Sequence, residues 1–185
     1  LLEISKRYGI PILENESYAN FRIDGSPLPP SLYGMDSTNS VMYVSSYTKL
    51  VGCGLSVGYA VVPDEVKMRL SELNYGGAPS HLSVLAVREF MMGHGKEYIA
   101  TVIDSLKHKR NAMLEALEEY FPSTATWNRP EGGMMIWVKL PNGANTLRTL
   151  DAAIQGQVKY NPGSVFRAEK DGNNFLRLTY SHNTP

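Results

Sequence analysis

One cysteine, Cys53, stands among 185 residues. A lone thiol cannot close an internal disulfide, so the fold must be held by its core, as suits a reducing cytoplasm. No apolar run approaches the roughly 20 residues that cross a bilayer. The opening residues lack the basic stretch, apolar run and small-residue cleavage site of a secretory signal. Nor is charge of one sign in excess: 18 Lys and Arg balance 18 Asp and Glu. A nucleic acid or an anionic membrane would call for a basic surplus, so neither is the expected partner. The four histidines, His81, His94, His108 and His182, show no metal-ligand spacing and join no Cys/His cluster, so no metal site is expected. Internal repeats and low-complexity tracts are missing as well.

What remains is the composition of an ordinary globular protein, 43% apolar and 19% charged. The length suits one domain with a real core, or one and a half small ones. The chain opens within an amphipathic pattern, Leu1, Leu2, Ile4 and Tyr8 against Glu3, Lys6 and Arg7, and ends soon after an apolar strand-like run. Both ends therefore read as cut. Short apolar runs predict strands at 11–13, 41–44 and 55–62, and continuous runs of this kind suit a sheet buried on both faces. Asp64 is the expected N-cap of a helix to Leu73. Ser80 caps another that Gly93-His94-Gly95 ends, and a separate long helix runs from Lys96 to Tyr120 with Ile99, Val102, Ile103 and Leu106 on one stripe. Beyond it come a strand at 134–138, a helix at 146–154, a short strand at 158–160 and a last strand at 176–180. Trp137 and the Met134-Met135 pair are expected in the core.

The chemistry concentrates after the strand at 41–44. Ser45-Ser46-Tyr47-Thr48-Lys49 follows it directly, with Gly52, Gly54 and Gly58 close behind. Ligands in open α/β sheets bind at the carboxyl ends of strands. Glycines let backbone N–H groups approach a phosphate, hydroxyls donate to its oxygens, and a lysine amine forms a Schiff base with an aldehyde. By itself the same pattern also describes a surface lysine in a Ser/Gly loop.

Five segments in order remove that ambiguity. They are Pro11-Ile12-Leu13-Glu14-Asn15-Glu16-Ser17-Tyr18, Ser45-Ser46-Tyr47-Thr48-Lys49 with Gly54-Leu55 and Gly58-Tyr59, Pro130-Glu131-Gly132-Gly133-Met134, Asn161-Pro162-Gly163-Ser164-Val165-Phe166, and Leu176-Arg177-Leu178-Thr179-Tyr180-Ser181. Together they resemble the C-terminal half of the class I/II aminotransferases, the fold-type I pyridoxal-phosphate enzymes. The closest likeness is to the 2-aminoadipate and aromatic branch and its aminotransferase-like regulators. The resemblance implies an α/β fold with part of a large-domain sheet over residues 1–95. A small C-terminal α+β domain would follow over 96–185, joined through the long helix.

It also implies roles. Lys49 would carry pyridoxal 5'-phosphate and later move the substrate α-proton. Tyr18 would hydrogen-bond the cofactor's phenolic oxygen, Ser46 and Thr48 would flank Lys49 at the cofactor with Ser46 at its phosphate, and Arg177 would take the substrate α-carboxylate as a bidentate pair. Two positions depart from the family. Asn15 stands where it has an aspartate on the ring nitrogen, and Ser56 stands where it has an arginine on the phosphate. The implied reaction moves an amino group between an amino acid and a 2-oxo acid. A homodimer is implied too, with the Gly76-Gly77-Ala78-Pro79-Ser80 turn reaching the neighbouring phosphate site. The family's N-terminal half, with its Gly-rich turn and ring-stacking aromatic, is absent from these residues. A complete site is therefore not expected from them alone. Asn15 and Ser56 keep two alternatives open: a non-catalytic ligand-sensing domain of a transcriptional regulator, and a pyridoxal-phosphate lyase or decarboxylase.

Overall fold

The computed structural model describes residues 1–74, 77–169 and 171–182. The start of the turn expected at Gly76 and the closing Thr184-Pro185 lie outside the described residues. The chain divides into two units, residues 1–20 with 26–100 and residues 21–25 with 101–185.

In the first unit, α1 (Leu2–Tyr8) ends at Gly9, whose φ of 63° is left-handed and so suits a residue without Cβ. The apolar face expected on this helix is open: Leu1, Ile4 and Tyr8 are exposed, and the buried residue is Ser5, whose hydroxyl donates to the Ile10 carbonyl at 2.7 Å. β1 (Ile12–Asn15) runs parallel to β2 (Val41–Ser46), with Asn15 beside Val44. β3 (Gly58–Val61) lies antiparallel on the other side of β2, with Gly58 opposite Ser46. A Cβ on Gly58 would stand 3.1 Å from the Ser45 carbonyl, a close approach that favours glycine. The crossover from β1 to β2 carries α2 (Leu32–Met35) and a turn built on Asp36. The carboxylate of Asp36 accepts the Thr38 hydroxyl at 2.7 Å and the backbone N–H groups of Ser40, Thr38 and Val41 at 2.6, 2.9 and 2.9 Å. The Thr38 hydroxyl first, and those N–H groups after it, hold the Asp36 carboxyl well below the usual carboxylate range.

This sheet is not covered on both faces, contrary to the expectation from its apolar runs. Leu13 is 61% exposed, and all four residues of β3 are exposed. A continuous apolar run is permissive of double burial, but the described helices do not supply it on every side.

α3 (Asp64–Leu73) begins at Asp64, with Pro63 as the residue before it. Asp64 is thus the first helical residue and not the cap, though its charge still sits at the positive end of the helix dipole. The two helices expected either side of Gly93-His94-Gly95 are one, α4 (His81–Tyr120), about 60 Å long at 1.5 Å per residue. Each glycine costs a helix about 1 kcal/mol against alanine, which weakens it without stopping it when no proline follows. Gly95 is buried under Met91, and a Cβ there would meet the Met91 Cε at 3.0 Å.

The second unit holds a four-stranded antiparallel sheet in the order β4-β5-β7-β6, from β4 (Thr126–Trp127), β5 (Met135–Lys139), β6 (Asn161–Pro162) and β7 (Phe175–Thr179). Ile136, Val138 and Leu176 are buried, as are Leu106, Leu114 and Leu117 from α4. The helix expected over 146–154 is the shorter α5 (Leu150–Gln155). Thr146 is instead a buried tether, its hydroxyl 3.0 and 2.8 Å from the Asn173 and Phe175 carbonyls. The short strand forms at 161–162 and not at 158–160.

Two glycine turns brace this unit. Gly132 lies against residues 21–22, where a Cβ would be 2.6 Å from the Phe21 carbonyl. The Tyr180 hydroxyl donates to the Gly133 carbonyl at 2.7 Å, and burial pushes that phenol up to about 12. A Cβ on Gly163 would run into Phe175 and the Gly172 carbonyl.

Candidate active site

Because β1 and β2 are parallel and adjacent, their carboxyl ends share one edge of the sheet. Asn15 closes β1, and Tyr18 follows three residues later, 42% exposed. Ser46 closes β2, and the turn after it carries Thr48 and Lys49. Ser56 lies two residues before β3, whose first residue, Gly58, pairs with Ser46. The edge therefore gathers Asn15, Ser46, Thr48, Lys49 and Ser56, with Tyr18 just beyond it.

The turn is held from beneath. Tyr47 donates its N–H to the Val57 carbonyl at 2.9 Å, and Leu50 and Val51 donate theirs back to the Tyr47 carbonyl at 3.1 and 2.8 Å. Leu50 and Val57 are buried, and the Tyr98 hydroxyl of α4 donates to the Leu50 carbonyl at 2.9 Å. The Ser46 oxygen accepts from the Thr48 N–H at 3.1 Å. Lys49 itself is exposed and makes no ion pair with any described residue. An anchored turn thus presents an uncommitted amine. Ser56 sits at φ 48°, an uncommon conformation for a residue with Cβ, and its hydroxyl donates to the Cys53 carbonyl at 3.2 Å.

On β1, alternation sends Glu14 and Glu16 away from Asn15. Glu14 accepts the Leu32 and Tyr33 N–H groups of α2 at 2.8 and 2.9 Å. Glu16 accepts the Tyr43 hydroxyl at 3.2 Å. Burial first, and then the neighbouring Tyr59 and Glu16, push the Tyr43 phenol up to about 12. Asn15 accepts from the Ser17 N–H at 3.1 Å and from the Ser17 hydroxyl at 2.7 Å through the same oxygen.

Arg177 belongs to the second unit. It stands mid-strand in β7, opposite Trp137 of β5 and Asn161 of β6. Its guanidinium carbon is 4.5 Å from the centre of the Phe166 ring, and its Nε is buried with no hydrogen-bond partner among the described residues. Trp137 meets Phe166 edge-on and stacks on Phe175, with both pairs of ring centres 5.7 Å apart. Trp137 therefore shares the Arg177 face, opposite the buried Ile136 and Val138, and is not the core residue expected. A half-buried guanidinium with an unmatched N–H, flanked by aromatic rings, is suited to a carboxylate.

Two cavities in the first unit lie elsewhere. One of about 520 Å³ sits between β3 and α3, lined by Ala60, Lys67, Leu70 and Asn74, and one of about 420 Å³ adjoins Ser5, Gly9 and Asn39. Lys49 lines neither. Among the described residues no cluster of His, Cys, Asp or Glu could hold a metal ion, and no helix is long and apolar enough to cross a membrane.

The sequence assigns no individual role to Ser17, Phe166 or Trp137. Ser17 had a local signal, since Asn-x-Ser is the spacing at which an asparagine oxygen meets the N–H two residues on. Phe166 stands in a family segment and Trp137 in an apolar run, but their meeting with Arg177 depends on the strand register.

A model of the family described as aminotransferase class I and II matches residues 1–185. The chain is 32% identical to aromatic-amino-acid aminotransferase 1 of Thermococcus litoralis, over 98% of this chain and 44% of that protein. It is 31% identical to an uncharacterized HTH-type transcriptional regulator, YdfD, of Bacillus subtilis, over 98% of this chain and 38% of that one. Among solved structures, the α-aminoadipate aminotransferase LysN of Thermus thermophilus, in complex with N-(5'-phosphopyridoxyl)-L-leucine, superposes with a TM-score of 0.89 at 29% identity. That match covers 97% of this chain and 47% of that one. The chain spans somewhat under half the length of these relatives.

Proposed function

The chain belongs to the class I and II aminotransferases, and from that premise we propose that it binds pyridoxal 5'-phosphate at the shared edge of β1 and β2 and transfers amino groups between amino acids and 2-oxo acids. The observation that carries this reading is Lys49, an amine with no ion-pair partner among the described residues, on an anchored turn at the carboxyl ends of two parallel strands. The residues fit the cofactor. Lys49 makes no ion pair with a described residue, and the buried Nε of Arg177 has no acceptor among the described residues, so a substrate carboxylate could supply one.

Pyridoxal phosphate, when bound, supplies an electron-withdrawing ring that acidifies the α-proton of an attached amino acid. Lys49 would hold the cofactor through its Nζ and would carry the substrate α-proton on the same atom. Tyr18 donates its phenol to the ring's phenolic oxygen. Ser46 would meet the phosphate, Thr48 would flank Lys49 at the cofactor, and Ser56 marks the position where a cationic contact is lacking. Asn15 meets the ring nitrogen. Arg177 pairs with the α-carboxylate, its plane held by Phe166.

Two copies pair, the turn at 77–80 of each serving the other's phosphate. Residues 1–95 act as part of the cofactor domain and 96–185 as the smaller domain, and the protein works in the cytoplasm on small amino and oxo acids. The test is exchange of labelled nitrogen from glutamate into a panel of 2-oxo acids by the intact protein. Label appearing in product amino acids is expected, and none under saturating cofactor would refute transamination.

A second reading rests on Asn15 and Ser56 together with the likeness to a transcriptional regulator. In it the same site binds cofactor or amino acid as a signal without turnover. Cofactor uptake with no nitrogen exchange, and with binding to DNA, would favour it.

A further inference from the structure

Asn15 ends β1 with its side chain held from one side. The Ser17 N–H and the Ser17 hydroxyl both reach the same amide atom, at 3.1 and 2.7 Å. A backbone N–H can only donate, so the atom it meets must be the amide oxygen, which fixes which way the amide lies. The nitrogen, with its two N–H bonds, is the branch turned out of this Asx turn. Asn15 is exposed, and no described residue accepts from its Nδ2.

Neither acid beside Asn15 stands in for a carboxylate there. Glu14 is committed to the N–H groups of Leu32 and Tyr33, and Glu16 to the Tyr43 hydroxyl, both on the opposite face of the strand.

We propose that Asn15 offers a hydrogen-bond donor, and not an acceptor, to the cofactor's pyridine nitrogen, so that this site holds the ring with that nitrogen unprotonated. The inference rests on the reading of this edge as the pyridoxal-phosphate site. A protonated ring nitrogen would set N–H against N–H, whereas an unprotonated one offers its lone pair to Nδ2. Turning the amide over would bring oxygen to the ring but would aim Nδ2 at the Ser17 N–H, leaving both of them unsatisfied. An aspartate in the same place could keep both Ser17 bonds on one oxygen and present the other as a charged acceptor. The exchange of one atom thus reverses the preferred protonation of the ring. A neutral ring draws electrons from the α-carbon less strongly, so Asn15 sets the site toward slow removal of the α-proton.

The test is solid-state 15N spectroscopy of the intact protein loaded with pyridoxal phosphate labelled at the ring nitrogen. The expected result is a resonance in the neutral-pyridine range for the native protein, moving to the pyridinium range in Asn15→Asp. A pyridinium resonance in the native protein overturns the proposal. So does a neutral resonance in both proteins, because Asn15 would then not be the residue that decides. Failure to take up the ring, seen as the absence of cofactor absorbance, overturns the underlying site reading and is separate from either spectral outcome.

Discussion

Arg177 shows what one residue owes to its neighbours. Strand alternation turns it from the core side of β7, and Phe166 lies under its guanidinium. Losing one of two charge-assisted hydrogen bonds costs about 1.5–3 kcal/mol. Arg177→Lys should therefore raise KM for the amino acid by roughly tenfold to a hundredfold, as steady-state nitrogen exchange would show. Phe166→Leu, which removes only a cation–π contact of about 0.5–1 kcal/mol, should raise it a few-fold. Gly132→Ala is a structural counterpart. A Cβ 2.6 Å from the Phe21 carbonyl forces the backbone apart, at about 1–3 kcal/mol of stability measurable by denaturant melts. Lys49, Tyr18 and Arg177 were legible as family motifs, and so were the departures at Asn15 and Ser56. The direction of the Asn15 amide was not, because it depends on where the chain places the Ser17 N–H.

At the scale of elements, local pattern predicts strands well and misplaces helix ends at glycines. β2, β5 and β7 fall within a residue or two of their apolar runs. Local pattern divides α4 at Gly93-His94-Gly95, yet a penalty of about 1 kcal/mol per glycine does not stop the helix. The two positions should now behave differently. Nothing lies within 4 Å of a Cβ at Gly93, so Gly93→Ala should stabilise by about 0.5–1 kcal/mol in thermal unfolding. Gly95→Ala gains less, since the Met91 side chain must shift. The turn at 36–41 makes a further prediction. The folded Asp36 carboxyl lies below its unfolded value, near 3.9 in model peptides. Its contribution is therefore complete above that value and is lost as pH falls toward the folded value. The stability difference between the native protein and Asp36→Ala should be constant at neutral pH and shrink on acidification below about pH 4. A difference that grew on acidification would contradict that sign.

At the scale of the whole molecule, two units divide the residues given functional roles. The first holds the lysine edge and the second holds Arg177. Composition settled the class of molecule, but the accessibility of α1 and of β3 could not be read from apolar periodicity. Periodicity says which residues can be buried, and only the surrounding elements say which ones are. The central claim concerns Lys49, and borohydride reduction of the cofactor-loaded intact protein followed by peptide mass spectrometry tests it most directly. A phosphopyridoxyl group on Lys49, lost in Lys49→Ala, is the expected result. The same group on another lysine, or on none, would contradict it.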